Sequence, residues 1–153
     1  MLKAPILRPV CTLFVELGPI REMGQGRAGK RRIIPIIGGS VEGPELAGKI
    51  LNLGADWQTI FADGNADLDT RYAFETHDGA LIEIINVGFR HGPPDVIERM
   101  ARGEDVSPES YYMRTTTRLE TGDPRYSWVN KTVFVGTGAR RASAVEIALF
   151  AVD

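Results

Sequence analysis

The chain has 153 residues, 43% of them hydrophobic and 25% charged, with a formal net charge of −2. That length suits one domain, residues 1–153, with a core of its own, and charges of both signs scattered along it exclude an extended nucleic-acid-binding face. A single cysteine, Cys11, excludes an internal disulfide and any cysteine-based zinc pattern.

The first ten residues, MLKAPILRPV, lack the apolar run of a signal peptide, and no stretch is long enough to cross a membrane as a helix. A soluble cytoplasmic protein is expected, with neither nucleic acid nor membrane as a partner. Residues 10–17 then read as a strand closed by Gly18-Pro19, with Cys11 alternating with Leu13 and Val15 as a small buried apolar residue.

The next segment, GQGRAGKRR at residues 24–32, matches two phosphate-binding patterns, G-x-G-x-x-G and G-x-x-x-x-G-K. Both patterns need a helix to begin at the last glycine, so that backbone N–H groups and the helix dipole meet the phosphate. The residues that follow, RRIIPIIGG, are β-branched, interrupted by Pro35 and ended by Gly38-Gly39, and Arg31 stands where the second pattern needs Ser or Thr. The segment is therefore read as a basic connection between two strands, able at most to gate a barrel mouth or attract an anion.

Further strand-like runs cover residues 32–37, 48–51, 56–62, 68–76, 80–89, 111–119, 128–135 and 145–152. Asp63-Gly64 and Asp78-Gly79 read as tight two-residue hairpin turns, and Gly122-Asp123-Pro124 as a reversal. One segment reads as a helix, PPDVIERMARG, opened by proline and closed by glycine, with Val96, Ile97, Met100 and Ala101 forming an apolar stripe. So many strands with one helix cannot form a parallel α/β sheet, which leaves a closed antiparallel barrel or a sandwich.

The succession RRIIPIIGGSVEGPELAGKIL, GADWQ, DTRYAFETHDGALI, NVGFRHGPPDVIERMARGEDVSPESYYMRT and SWVNKTVFVGTGAR closely resembles the domain-of-unknown-function family thirty-two thirty-seven, from roughly Leu7 to Val152. Asn52 and Leu53 depart from the Pro or Gly expected there, which touches a turn more than a site. The resemblance implies an all-β fold, a closed antiparallel β-barrel of about eight to ten strands with one short capping helix at residues 94–102. It leaves the activity open.

A barrel of this size either packs solid or encloses a ligand, and polar residues on the inward face distinguish the two. A two-residue turn at Asp78-Gly79 pairs His77 with Ala80, Glu75 with Ile82 and Arg71 with Asn86, which places Arg71, Asn86 and, further along, Arg90 on one face. That face lines the lumen or meets water; the pattern alone admits both. Tyr112 and Arg114 share a face of their strand, and Trp128 and Asn130 share a face of theirs; rings beside amides and guanidinium groups suit a planar oxygenated ligand.

GADWQ places Asp56 and Gln58 on one face and Trp57 on the other. Asp56 is either a partly buried general base or a structural carboxylate that caps the Gly54 turn or pairs with Arg71. His77 and His91 lie far apart and give no metal site, and no cofactor motif is present.

These features lead to a small-molecule-binding barrel, a cofactor-free cyclase or isomerase for a phenolic or polyketide-like substrate. Asp56 and Arg71 are the catalytic candidates, and Trp57, Gln58, Asn86, Arg90, Tyr112, Arg114, Trp128 and Asn130 the binding candidates. The alternative is a ligand carrier or sensor, or a structural oligomer subunit. A homodimer is expected from apolar residues on outward faces.

Overall fold

The computed structural model describes residues 1–153. Nine strands follow one another as β1 (Leu7–Leu17), β2 (Arg21–Gln25), β3 (Lys30–Glu42), β4 (Gly48–Ile60), β5 (Ala66–Thr76), β6 (Leu81–His91), β7 (Tyr112–Glu120), β8 (Val133–Arg140) and β9 (Ala144–Val152). One α-helix, α1 (Pro94–Ala101), lies between β6 and β7. Every pairing is antiparallel, and the order β1-β9-β8-β7-β6-β5-β4-β3 closes on itself through β3 and β1, giving an eight-stranded barrel. β2 is the extra strand, pairing with the first residues of β3 as β1 pairs with the later ones.

Period-two alternation decides which residues fill the interior. β7 shows it plainly: Met113, Thr115, Thr117 and Leu119 are buried, and Tyr112, Arg114, Thr116 and Arg118 are exposed. One end of the barrel is packed solid by Leu13, Val41, Ile50, Phe74, Ile82 and Phe134, and the 3₁₀ segment Pro124–Lys131 adds Tyr126 and Val129 to that cluster. A second, smaller cluster covers the other end, where Val96 of α1 and Val106 pack on Ala66, Leu68, Tyr111 and Met113. The helix is thus a cap, as its apolar stripe predicts. No helix is long and apolar enough to cross a membrane.

Two close backbone approaches between paired strands belong to the closed ring. At Gly39 (φ +131°) a Cβ would lie 1.9 Å from the carbonyl oxygen of Phe14 on β1, and at Gly54 (φ +102°) one would lie 2.2 Å from the carbonyl of Arg71 on β5. Only glycine permits either contact.

Several sequence expectations are corrected here. Residues 48–51 and 56–60 belong to one strand, β4, because the ladder with β5 shifts register between Ile50 and Gly54 and does not turn there, and residues 61–62 lie in the connection that follows. Residues 128–131 are 3₁₀ helix, and Arg21–Gln25, not expected as a strand, forms β2. The loop after β5 is longer than two residues: the amide of Thr76 donates to the carbonyl of Ala80 at 2.8 Å, leaving His77, Asp78 and Gly79 in the turn. One extra residue shifts the register, so Arg71 pairs with Ile85 and Thr70 with Asn86. Asp63-Gly64 likewise sits in a longer connection, since Ile60 pairs with Ala66.

Replacing Gly39 by Val combines backbone strain with a steric clash at the closure, together costing about 3 kcal/mol. For a chain of this size the expected fall in Tm is roughly 6–12 °C, read by thermal unfolding. An unchanged Tm contradicts the role given to this contact.

Candidate functional site

Between the two apolar clusters the barrel interior turns polar. Asp56 and Gln58 of β4 point inward beside Thr70 and Tyr72 of β5, Asn86 and Arg90 of β6, and Arg140 of β8. Ile34, Leu68, Met113 and Ile147 supply apolar wall between them. The space within the walls and across the mouth is about 490 Å³, and the part open to the centre of a water molecule is about 40 Å³. That holds a few waters, so a larger ligand requires side chains at the mouth to move.

Asp56 is the centre of the polar ring. The residue is 8% exposed, and its carboxyl accepts from the backbone amide of Asp69 at 2.9 Å and from Gln58 Nε2 at 3.0 Å. Gln58, 1% exposed, is held in turn: its Oε1 accepts from Arg32 Nε at 2.8 Å and Arg32 Nη2 at 2.6 Å. The chain Arg32–Gln58–Asp56 fixes the amide orientation, because an arginine only donates and so must face the amide oxygen. No salt bridge reaches Asp56 within 4.0 Å. Burial raises its pKa above the usual aspartate value, against the opposing pull of those two hydrogen bonds and of the Arg90 and Arg32 charges.

Three arginines surround this carboxyl. Burial, then the like charges of Arg32 and Arg140, bring Arg90 down to about 10. Burial also lowers Arg32 and Arg140. No protein group accepts a hydrogen bond from the Arg90 side chain, and Arg140 reaches only the carbonyl of Ala144, at 3.4 Å. Deeper in the lumen, the Tyr72 hydroxyl is buried without any partner. Asn86 is tied to the wall through its Oδ1, which accepts from Thr117 Oγ1.

Four of the sequence candidates, Asp56, Gln58, Asn86 and Arg90, therefore converge on one cavity, and six do not. Arg71 is corrected to the outer surface by the three-residue turn, and Trp57 is 45% exposed on the outer face of β4. Tyr112 is on the outside as well, stacked on His91 with centroids 4.8 Å apart and with the Arg114 guanidinium 5.4 Å from its ring. Trp128 and Asn130 sit in the 3₁₀ segment: Trp128 packs against Phe134, and Asn130 bonds the backbone of Thr121 with both amide atoms at 2.9 Å. Trp128 and Asn130 thus have structural tasks outside the lumen, and Arg71 and Trp57 face outward.

Arg32, Tyr72 and Arg140 belong to the site although the sequence reading did not name them. Arg32 sits in the basic glycine segment, yet it alternates with Ile34 and Ile36, both buried, which is the signal that it points inward. Arg140 follows the buried alternation of Phe134, Gly136 and Gly138 to the strand end. The segment itself is the β2–β3 hairpin, and the pairs Lys30–Ile60 and Arg32–Gln58 put it at the lumen end of the barrel.

The fold and this ring define a small antiparallel β-barrel, closed at one end, with an acid and two arginines lining its lumen and a third arginine held on Gln58. The chain belongs to the family described as Protein of unknown function (DUF3237), matched over residues 5–152. It is 44% identical over 138 residues to the UPF0311 protein RPA1785 of Rhodopseudomonas palustris, covering 90% of each chain. The crystal structure of that conserved protein of unknown function superposes with a TM-score of 0.94 over 100% of both chains. A β-barrel-like protein from Acinetobacter baumannii, 44% identical, gives 0.89 over 100% of this chain and 99% of its own. An enzyme from Penicillium herquei shares the fold at 0.75 and 20% identity, over 100% of this chain and 98% of its own.

A raised pKa in the fold means that Asp56 keeps its proton to higher pH folded than unfolded. Its contribution to stability is full below the ordinary value of 3.8 and is lost as pH rises through its folded pKa. In Asp56→Asn that loss is absent, so the Tm of the variant relative to the parent increases from acid to neutral pH. A difference independent of pH contradicts the assigned direction.

Proposed function

We propose that the lumen binds a small oxygenated molecule and moves a proton on it without a cofactor, as an isomerase or cyclase does. Asp56 is the general base. The single observation that carries this reading is a buried carboxyl with no ion-pair partner, its pKa raised by burial, facing a lumen ringed by arginines. A base needs to accept a proton at neutral pH, and desolvation adjusts Asp56 in that direction.

Loss of a proton from carbon beside a carbonyl leaves negative charge on oxygen, which the positive field of Arg90 and Arg140 in the lumen wall stabilises. Gln58 and the Asp69 amide hold the carboxyl in one orientation, so binding need only bring the substrate hydrogen to it. The phenolic or polyketide-like character expected from aromatic walls loses its support, because Trp57, Tyr112 and Trp128 lie outside the lumen. Apolar wall from Leu68, Met113 and Ile147 favours a compact aliphatic or single-ring body instead.

A carrier is the competing reading, and it is favoured where every lumen carboxylate is neutralised by an ion pair. Asp56 argues against it for that reason. A purely structural subunit is disfavoured by the cluster of buried polar groups, each costly to keep in a solid interior.

Deuterium exchange beside the carbonyl of small ketones and keto acids, followed by NMR in D2O, tests the proposal. Exchange is expected to accelerate with the protein present, to rise with pH as Asp56 ionises, and to fall roughly 100-fold or more in Asp56→Asn. Arg71→Ala leaves it unchanged. Exchange in the parent protein at the rate of buffer, or full exchange in a folded Asp56→Asn, overturns the assignment.

A further inference from the structure

We infer that the ligand of this lumen is a small organic carboxylate, its anionic end held by Arg90 and Arg140 and a second oxygen further along it meeting the Tyr72 hydroxyl. The inference rests on the proton-transfer reading of the same lumen and gives it a substrate class.

Charge arithmetic at the mouth points to an anion. The lumen wall holds Arg90 and Arg140 with one buried carboxyl, that of Asp56, while Arg32, held on Gln58, also feels the charge of Glu22, which is exposed on β2 and lies 3.9 Å from Lys30. One of the two lining guanidinium charges therefore stays uncompensated, in a chain whose overall formal charge is −2. Unpaired charges in a confined lumen are costly, and an arriving carboxylate removes that cost.

The donors are also free to act. Arg32 is committed to Gln58 through Nε and Nη2, which leaves Arg90 without a hydrogen-bond partner and Arg140 with one long contact. A planar guanidinium presents paired N–H donors that match the two oxygens of a carboxylate. The arginines are thus arranged for recognition, not for holding the wall together.

The second observation is independent of charge. Tyr72 is 2% exposed and lines the same cavity, yet no group of the protein partners its buried hydroxyl, which leaves that donor for whatever occupies the lumen. An oxygen-bearing ligand supplies the missing bond. Ile34, Leu68, Met113 and Ile147 line the same cavity and suit a hydrocarbon body. A carboxylate at one end, a short apolar body and a hydroxyl or carbonyl further along satisfy all three zones.

Isothermal titration of the intact protein with levulinate and para-hydroxybenzoate, each against its primary amide, provides the test. At least one acid is expected to bind 10-fold or more tighter than its amide, with affinity falling as salt rises. Arg90→Gln and Arg140→Gln are each expected to weaken the acid about 10-fold, and Tyr72→Phe to weaken it several-fold, while Asp56→Asn keeps or improves binding by removing a like charge. Equal affinity for acid and amide, no binding of either acid at millimolar concentration, or full binding in both folded arginine variants overturns the inference. Because the acid–amide comparison uses the parent protein, a variant that fails to fold does not obscure it. Carboxylate binding without any proton exchange overturns the proton-transfer reading alone.

Discussion

Everything in this molecule depends on the pairing of β1 with β3, the contact that turns a meander into a barrel. Seven of the eight barrel pairings join strands that lie next to one another along the chain or at its two ends, and β1–β3 is the one that seals the ring. It depends on Gly39, where the backbones of β3 and β1 come closer than any side chain allows. Without that approach the two edges stay open, the interior has no inside, and the polar ring at Asp56 is ordinary surface.

Closure also explains how so small a barrel accommodates buried charge. The two ends are treated differently: Phe74, Ile82, Phe134 and their neighbours fill one end, while Val96 and Val106 cover the other without filling it. The polar ring occupies the zone between, where walls on all sides exclude most water. Low polarizability there raises the Asp56 pKa and lowers those of the arginines, each being less stable charged than in water. A carboxyl more willing to hold a proton and guanidinium groups without partners are two outcomes of the same enclosure.

The remaining polar groups serve the fold, and their partners show it. Asp78 accepts from Thr76 Oγ1 at 2.6 Å and from the Tyr126 hydroxyl at 2.8 Å, tying the β5–β6 turn to the 3₁₀ segment. Asn130 performs a similar task on the backbone of Thr121. These sites are satisfied within the chain. In the lumen, Arg90 and Tyr72 have donors with no acceptor in the chain, and that incompleteness suits them to binding.

The sequence by itself determined the class of fold, because period-two alternation in β5, β6 and β7, and a single proline-to-glycine helix, admit little else. It also identified Asp56 and Gln58 as neighbours on one face, since that depends only on strand alternation within GADWQ. Which faces turn inward was decided by tertiary structure. One extra residue in the His77–Gly79 turn moved Arg71 from the expected lumen to the outside, and no local signal distinguishes that turn from a two-residue one. The site's arginines come from β3, β6 and β8, far apart along the chain, and only closure of the ring brings them to one carboxyl. The GQGRAGKRR segment shows the same division: its neighbours forbid a phosphate-binding helix, whereas the inward aim of Arg32 follows from its pairing with Gln58 on the next strand.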